Sequence, residues 1–115
     1  MPVVFVVAEE WMLRAGIRAE LRERGIKALG MDNAVEIGRA IAAGEAPSVI
    51  VLDANAKAAS DPAVQQLIRR IPAIIIASRI VTPPPPHSAA KVLFRPVQIS
   101  EIVSAVSDLL KGLTV

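Results

Sequence analysis

A doubly wound α/β fold, with five parallel strands covered by helices on both faces, is the class this sequence predicts, and three observations predict it. Apolar runs without polar alternation (VVFVVA at residues 3–8, VIVL at 49–52, AIIIA at 73–77) read as strands buried on both faces. Between them lie segments whose apolar residues recur at helical spacing. Gly25, Gly44 and the Asp61-Pro62 pair punctuate the change from one period to the other. Strands that alternate with helices imply crossover connections, hence a parallel sheet in a (βα)5-like order.

The elements follow in turn. Residues 3–8 form a first buried strand, and residues 11–24 a helix with Leu13, Ile17 and Leu21 on one face, stopped by Gly25. Residues 26–31 are a weaker strand; Asn33 can cap a helix over 34–43 that carries Ile37 and Ile41 and closes at Gly44. The third strand, 49–52, delivers Asp53 to the point where the chain leaves the core. A third helix starts at about Asp61, with Pro62 in its first position and Val64, Leu67, Ile68 and Ile71 as its apolar face. Residues 74–77 and 91–94 supply strands four and five, and Ser100 is read as the cap of a last helix that packs Ile102, Val103, Val106, Leu109 and Leu110. One stretch breaks the rhythm. RIVTPPPPHSAA, residues 79–90, holds four consecutive prolines, which favour an extended polyproline conformation, so the fourth helix is expected to be shortened or replaced by a proline-rich loop.

Composition bounds the function. A chain of 115 residues is one domain, spanning 1–115, and 53% hydrophobic residues exclude a disordered chain. Every apolar run is far shorter than the ~18 residues of a membrane span, and the acids Glu9 and Glu10 follow the first run where a secretory signal would not carry them. A cytoplasmic protein without membrane contact is expected. Without cysteine there is no disulfide framework, no thiolate nucleophile and no cysteine metal site. A net charge of +2 does not by itself imply nucleic acid, although Arg14, Arg18, Arg22, Arg24 and Lys27 lie close together. Arg14, Arg18 and Arg22 fall at i, i+4 and i+8 beside the Leu13, Ile17, Leu21 row; a solvated flank is the favoured reading, docking to an acidic partner the alternative. No DNA-binding segment follows the last helix, so a stand-alone domain or one excised from a longer chain is expected.

In an open parallel sheet, ligands bind beyond the C-terminal ends of the strands, where the strand order reverses. Those ends carry Glu9 and Glu10, Asp53, Ser78, and Arg95-Pro96: acids, a hydroxyl and a cation that would converge on one patch. Each has a plainer reading. Asp53 can cap its own loop, Glu9 and Glu10 can complement a helix dipole, Ser78 can bond to backbone, and Arg95 can be a structural partner of Asp53. His87 is read as a solvated residue of the proline loop, and Trp11 as a partly exposed residue at a helix start. A nucleotide-binding or catalytic α/β domain has least support: the turn AEEWML has no glycine to admit a phosphate and two acids to repel it, and neither a Walker sequence nor a Ser-His-Asp set is present. The protein is not expected to be an enzyme.

The arrangement resembles the receiver domain of bacterial two-component response regulators over nearly the whole chain. That resemblance implies a five-stranded, doubly wound, flavodoxin-like domain that accepts a phosphoryl group from a histidine kinase onto an aspartate, using Mg²⁺. It places the phosphoacceptor at Asp53 after VIVL, the acid pair at Ala8 and Glu9 with Glu10 following, the switch hydroxyl at Ser78 after IIIA, and the basic residue at Arg95, before Pro96 and a bond that is cis in the family. The implied metal ligands are Glu9, Asp53 and the backbone of Asn55, with Glu10 as a further candidate.

The departures act on the chemistry itself. Ala8 cannot ligate a metal, and glutamate's extra methylene displaces a carboxylate that Mg²⁺ needs in near-octahedral geometry. The family's lysine is here Arg95, a planar fork that can meet a phosphoryl oxygen or Asp53 itself. The proline stretch removes the helix of the face that the family uses to change shape and bind partners. The expected function is therefore a receiver-like signalling module of a two-component system, with a weak Mg²⁺ site, acting mainly through protein–protein interaction with weakened or lost phosphorylation. The alternative is a phosphorylatable receiver in a phosphorelay, Asp53 attacking a phosphohistidine while Ser78 and Arg95 hold the phosphoryl oxygens. Expected partners are a histidine kinase or other signalling protein and a second copy of the chain, the latter through an apolar patch on the last helix and fifth strand.

Overall fold

Strands β1 (Val3–Val7), β2 (Lys27–Met31), β3 (Val49–Asp53), β4 (Ala73–Ala77) and β5 (Ala90–Phe94) pair in parallel in the order β2-β1-β3-β4-β5. The order reverses between β1 and β3, so the loops leaving those two strands diverge to opposite sides and leave a crevice at their carboxyl ends. Helices α1 (Trp11–Glu23), α2 (Ala34–Ala42), α3 (Pro62–Arg70) and α4 (Ile99–Leu113) make the crossovers and the closing layer. The computed structural model describes residues 2–78 and 90–113. The expected proline-rich loop, the expected shortening or replacement of the fourth crossover helix and His87 lie outside the described residues.

β1, β3 and β4 are buried at every position because both of their faces are covered. Side-chain alternation divides the core in two. Phe5, Val7, Ile50, Leu52 and Ile75 face α2 and α3, packing with Ile37, Val64, Leu67 and Ile68. Val4, Val6, Val49, Val51, Ile74 and Ile76 face the other way, onto Ile17 and Leu21 of α1 and Ile102, Val103 and Val106 of α4. Each such aliphatic side chain stabilises the fold by about 1.5–3 kcal/mol when fully buried. β2 is an edge strand, as is β5, and its KALGM sequence is only partly buried.

The caps explain the boundaries. Asn33 accepts a hydrogen bond from the Glu36 N–H, and Asp61 accepts from Ala63 and Val64 with Pro62 in the first turn. Gly25 (φ 75°) and Gly44 (φ 97°) take the left-handed conformation that ends α1 and α2. Ser100 does not cap the last helix: α4 begins at Ile99, and Ser100 sits inside its first turn. Gln98 supplies the start, its carbonyl accepting from the Glu101 and Ile102 N–H groups and its own N–H donating to the Glu101 carboxylate 3.4 Å away. That is half of a capping box, in which the acid at the third helical position outcompetes the serine. A 3₁₀ turn, Lys57–Ser60, also precedes α3.

A further expectation changes. Arg14 and Arg18 are not a solvated flank: both are half-buried, their stems lying over Gly30 of β2, where an added Cβ would fall 2.8 Å from Arg18 Cδ and 3.1 Å from Arg14 Cγ. Only Arg22 is exposed. The glycine opens a groove at the sheet edge that the arginine methylenes fill. The last helix packs Ile102, Val103 and Val106 against the sheet and α1, while Leu93 and Phe94 of β5 and Leu109 and Leu110 of α4 are only half-buried. The large exposed hydrophobic residues among those described are Trp11, Met12, Val35 and Ile41, on α1 and α2. No helix among the described residues is long and apolar enough to cross a membrane.

Candidate functional site

Asp53 is the last residue of β3 and, at 4% exposure, the one buried charged residue among those described. A carboxylate held out of water needs partners on both oxygens. Oδ1 accepts the Asn55 N–H at 3.0 Å, closing an Asx turn that bends the chain off the strand. Oδ2 accepts from Arg95 Nη2 at 2.7 Å, a charge-assisted bond.

Arg95 follows β5 directly, and its N–H bonds to the Ala77 carbonyl at 2.8 Å, so the sheet ladder itself sets where its side chain starts. The Arg95–Pro96 peptide bond is cis. Nη1 lies 4.0 Å from Glu10 Oε2, a looser and more exposed contact, and Nε is buried without a partner. Of the two partners open to this guanidinium, it has taken the aspartate.

Glu9 turns across the crevice. Its Oε2 accepts the backbone N–H of Lys57 at 2.5 Å, tying the loop after β1 to the turn after β3. Arg14 holds the same loop from the other side, with Nη1 2.6 Å from the Ala8 carbonyl. Neither contact is legible in residue spacing, because each joins a side chain to a backbone group whose position depends on the finished loops. Glu9, Glu10, Asp53, Asn55, Ala56 and Arg95 together line a hollow of about 310 Å³ at the reversal of strand order. Ser78 stands just past β4 and is half-buried, but it does not line that hollow.

A divalent cation of the kind the resemblance implies does not fit these side chains as they stand. Ala8 offers no side-chain oxygen, Glu9 turns one carboxylate oxygen to Lys57, and each Asp53 oxygen already accepts a hydrogen bond, one of them from a cation. Among the described residues no group of three acidic or imidazole side chains could hold a metal ion. What the arrangement does chemically is neutralise its buried acid internally: the Arg95 guanidinium occupies the charge-compensating position beside Asp53. A phosphoryl dianion entering the hollow would meet this one guanidinium, already committed, and three carboxylates.

By sequence alone, no family model and no curated protein matches this chain. The fold, however, has many neighbours among solved structures. A response regulator receiver protein from Burkholderia phymatum superimposes with a TM-score of 0.78 at 22% identity, covering 96% of each chain. The receiver domain of a Francisella response regulator gives 0.77 at 21% identity, covering 98% of this chain and 99% of that one. A receiver protein from Sinorhizobium medicae gives 0.75 at 17% identity over 96% and 94% of the two chains. With five parallel strands in flavodoxin-like order and an acid at the carboxyl end of the third, the chain has the fold of response regulator receiver domains.

Proposed function

We propose that this protein is a receiver-like module of two-component signalling that acts by binding proteins, not by catalysis, and in which phosphorylation of Asp53 is weakened or lost. The observation that carries this reading is the 2.7 Å ion pair between Arg95 and Asp53. Phosphoryl transfer to a carboxylate depends on an in-line approach and on cations that offset the charge of the incoming group. Here the cation is spent on the acceptor itself, Ala8 removes one metal ligand, and Glu9 is held by Lys57, so Mg²⁺ affinity is low. A cytoplasmic location accords with this role. The partner is a histidine kinase or another signalling protein, and self-association would serve the same end.

Trp11, 68% exposed and adjacent to Glu10, is a built-in probe. Millimolar Mg²⁺ is expected to leave its fluorescence unchanged, and acetyl phosphate to add no phosphoryl mass to the protein. A saturable Mg²⁺ response together with a phosphoryl adduct, both abolished in Asp53→Asn, would instead establish a phosphorylatable receiver.

A further inference from the structure

Helix α1 carries a row of like charges of which the fold uses the stems and one guanidinium, but supplies no acid. Arg14, Arg18 and Arg22 repeat one helical turn apart, spanning about 12 Å, and among the described residues none of them is paired with an acid. Arg14 is partly satisfied by the Ala8 and Glu9 carbonyls. Arg18 is not: its Nε is buried without a hydrogen-bond partner. Burial first, and then the neighbouring Arg22 and Arg14 charges, lower the pKa of its guanidinium from the ordinary value. Like charges at i, i+4 also destabilise a helix. The row therefore costs stability in the isolated domain, and a carboxylate brought by a partner would offset that cost.

The surroundings specify the partner. At about 100° per residue, positions 11, 14, 18 and 22 fall within about 80° of arc, so Trp11 heads the same stripe. Trp11 and Met12 are 68% and 74% exposed. Tryptophan, methionine and arginine are residue types enriched in protein–protein interfaces. The Arg14 and Arg18 stems already lie over Gly30, so these two have less side-chain freedom to lose on docking. A nucleic acid suits the face less well: the row offers three cations over about 12 Å, Glu10 is the N-cap residue at the Trp11 end of the helix, and the chain's net charge is only +2.

We infer that the arginine flank of α1, from Trp11 through Arg14 and Arg18 to Arg22, docks an acidic helix of a partner protein whose carboxylates repeat at the same one-turn spacing. None of these four residues lines the Asp53 hollow, although Arg14 braces the loop beside it, and the inference does not depend on whether Asp53 is phosphorylated.

The test uses the full chain and a synthetic helical peptide with Glu at i, i+4 and i+8, read by peptide anisotropy and by Trp11 fluorescence. Saturable binding is expected, weakened roughly tenfold by Arg18→Gln and by Arg22→Gln, since each removes a charge-assisted hydrogen bond. Arg18→Met, which keeps the stem and loses the charge, is expected to weaken binding while leaving the thermal midpoint unchanged or raised. A midpoint that falls in Arg18→Met with binding intact would mark the row as structural and overturn the inference. So would equal binding of a peptide with the same glutamates out of register, or preferential binding of a DNA duplex or of phosphatidylserine vesicles. Asp53→Asn is expected to bind the peptide normally, which separates this inference from the fate of the phosphorylation reading.

Discussion

Arg95 at the sheet rim and Arg18 on α1 are both half-buried guanidiniums, yet one has a carboxylate at 2.7 Å and the other has no acid. At the rim the acid comes from the fold itself, at the end of β3, and the pair locks two strand ends together. On α1 the neighbours of Arg18 are other arginines. A satisfied pair reads as architecture, and it withdraws the groups from other chemistry; an unsatisfied row reads as a surface waiting for its complement.

That contrast can be broken by removing one charge at a time. The largest effect is expected for Arg95→Ala, which strands a buried carboxylate: urea unfolding should show a loss of about 2 kcal/mol, below that of a fully buried pair because Arg95 is partly exposed. The double variant Arg95→Ala/Asp53→Ala should recover much of that loss, and an additive double variant would mean that the pair is not coupled. Asp53→Asn keeps the shape and an acceptor for Arg95, so about 1 kcal/mol is expected by the same measurement. Glu9→Ala frees one N–H that water can reach, and should cost roughly 0.5 kcal/mol while loosening the loops after β1 and β3 in hydrogen exchange. Smallest is Arg18→Met, expected within about 0.5 kcal/mol of the parent, with the difference shrinking as salt screens the row.

The pH dependence of Arg18 has a definite sign. A folded-state pKa below the unfolded one means that the native protein binds this proton more weakly than the unfolded chain does. Stability contributed by the group therefore rises as pH climbs through the lowered value, in the strongly alkaline range. At neutral pH the charge is a constant cost, so Arg18→Met should shift a pH–stability curve vertically between pH 5 and 8 without changing its shape.

The sheet was legible in the sequence because parallel strands covered on both faces leave unbroken apolar runs, as at Val3–Val7 and Ala73–Ala77. Helix starts at Asn33 and Asp61 were legible because their caps lie two or three residues from the N–H groups they satisfy. The start of α4 was not, since a serine in first-turn range looked like a cap while the backbone used Gln98 and Glu101. At the site, spacing and fold brought Glu9, Glu10, Asp53 and Arg95 to one crevice, but not the direction in which each side chain turns. Glu9 faces Lys57 because a loop 48 residues away presents a bare N–H. The arginine stems over Gly30 were equally hidden: one missing Cβ on an edge strand decides whether a helix flank lies in water or on the sheet.

Gly16 stands where α1 meets the first turn of α4, and any side chain there would collide with Ile99 Cδ1. The side chain of Ile99 consequently fills the space that a residue with a Cβ would need at position 16, and the two helices meet with the isoleucine seated on the glycine. Ile99 is only four residues beyond Arg95. A larger residue at position 16 would have to displace that isoleucine, so the spacing between α1 and the start of α4 is set at this one contact.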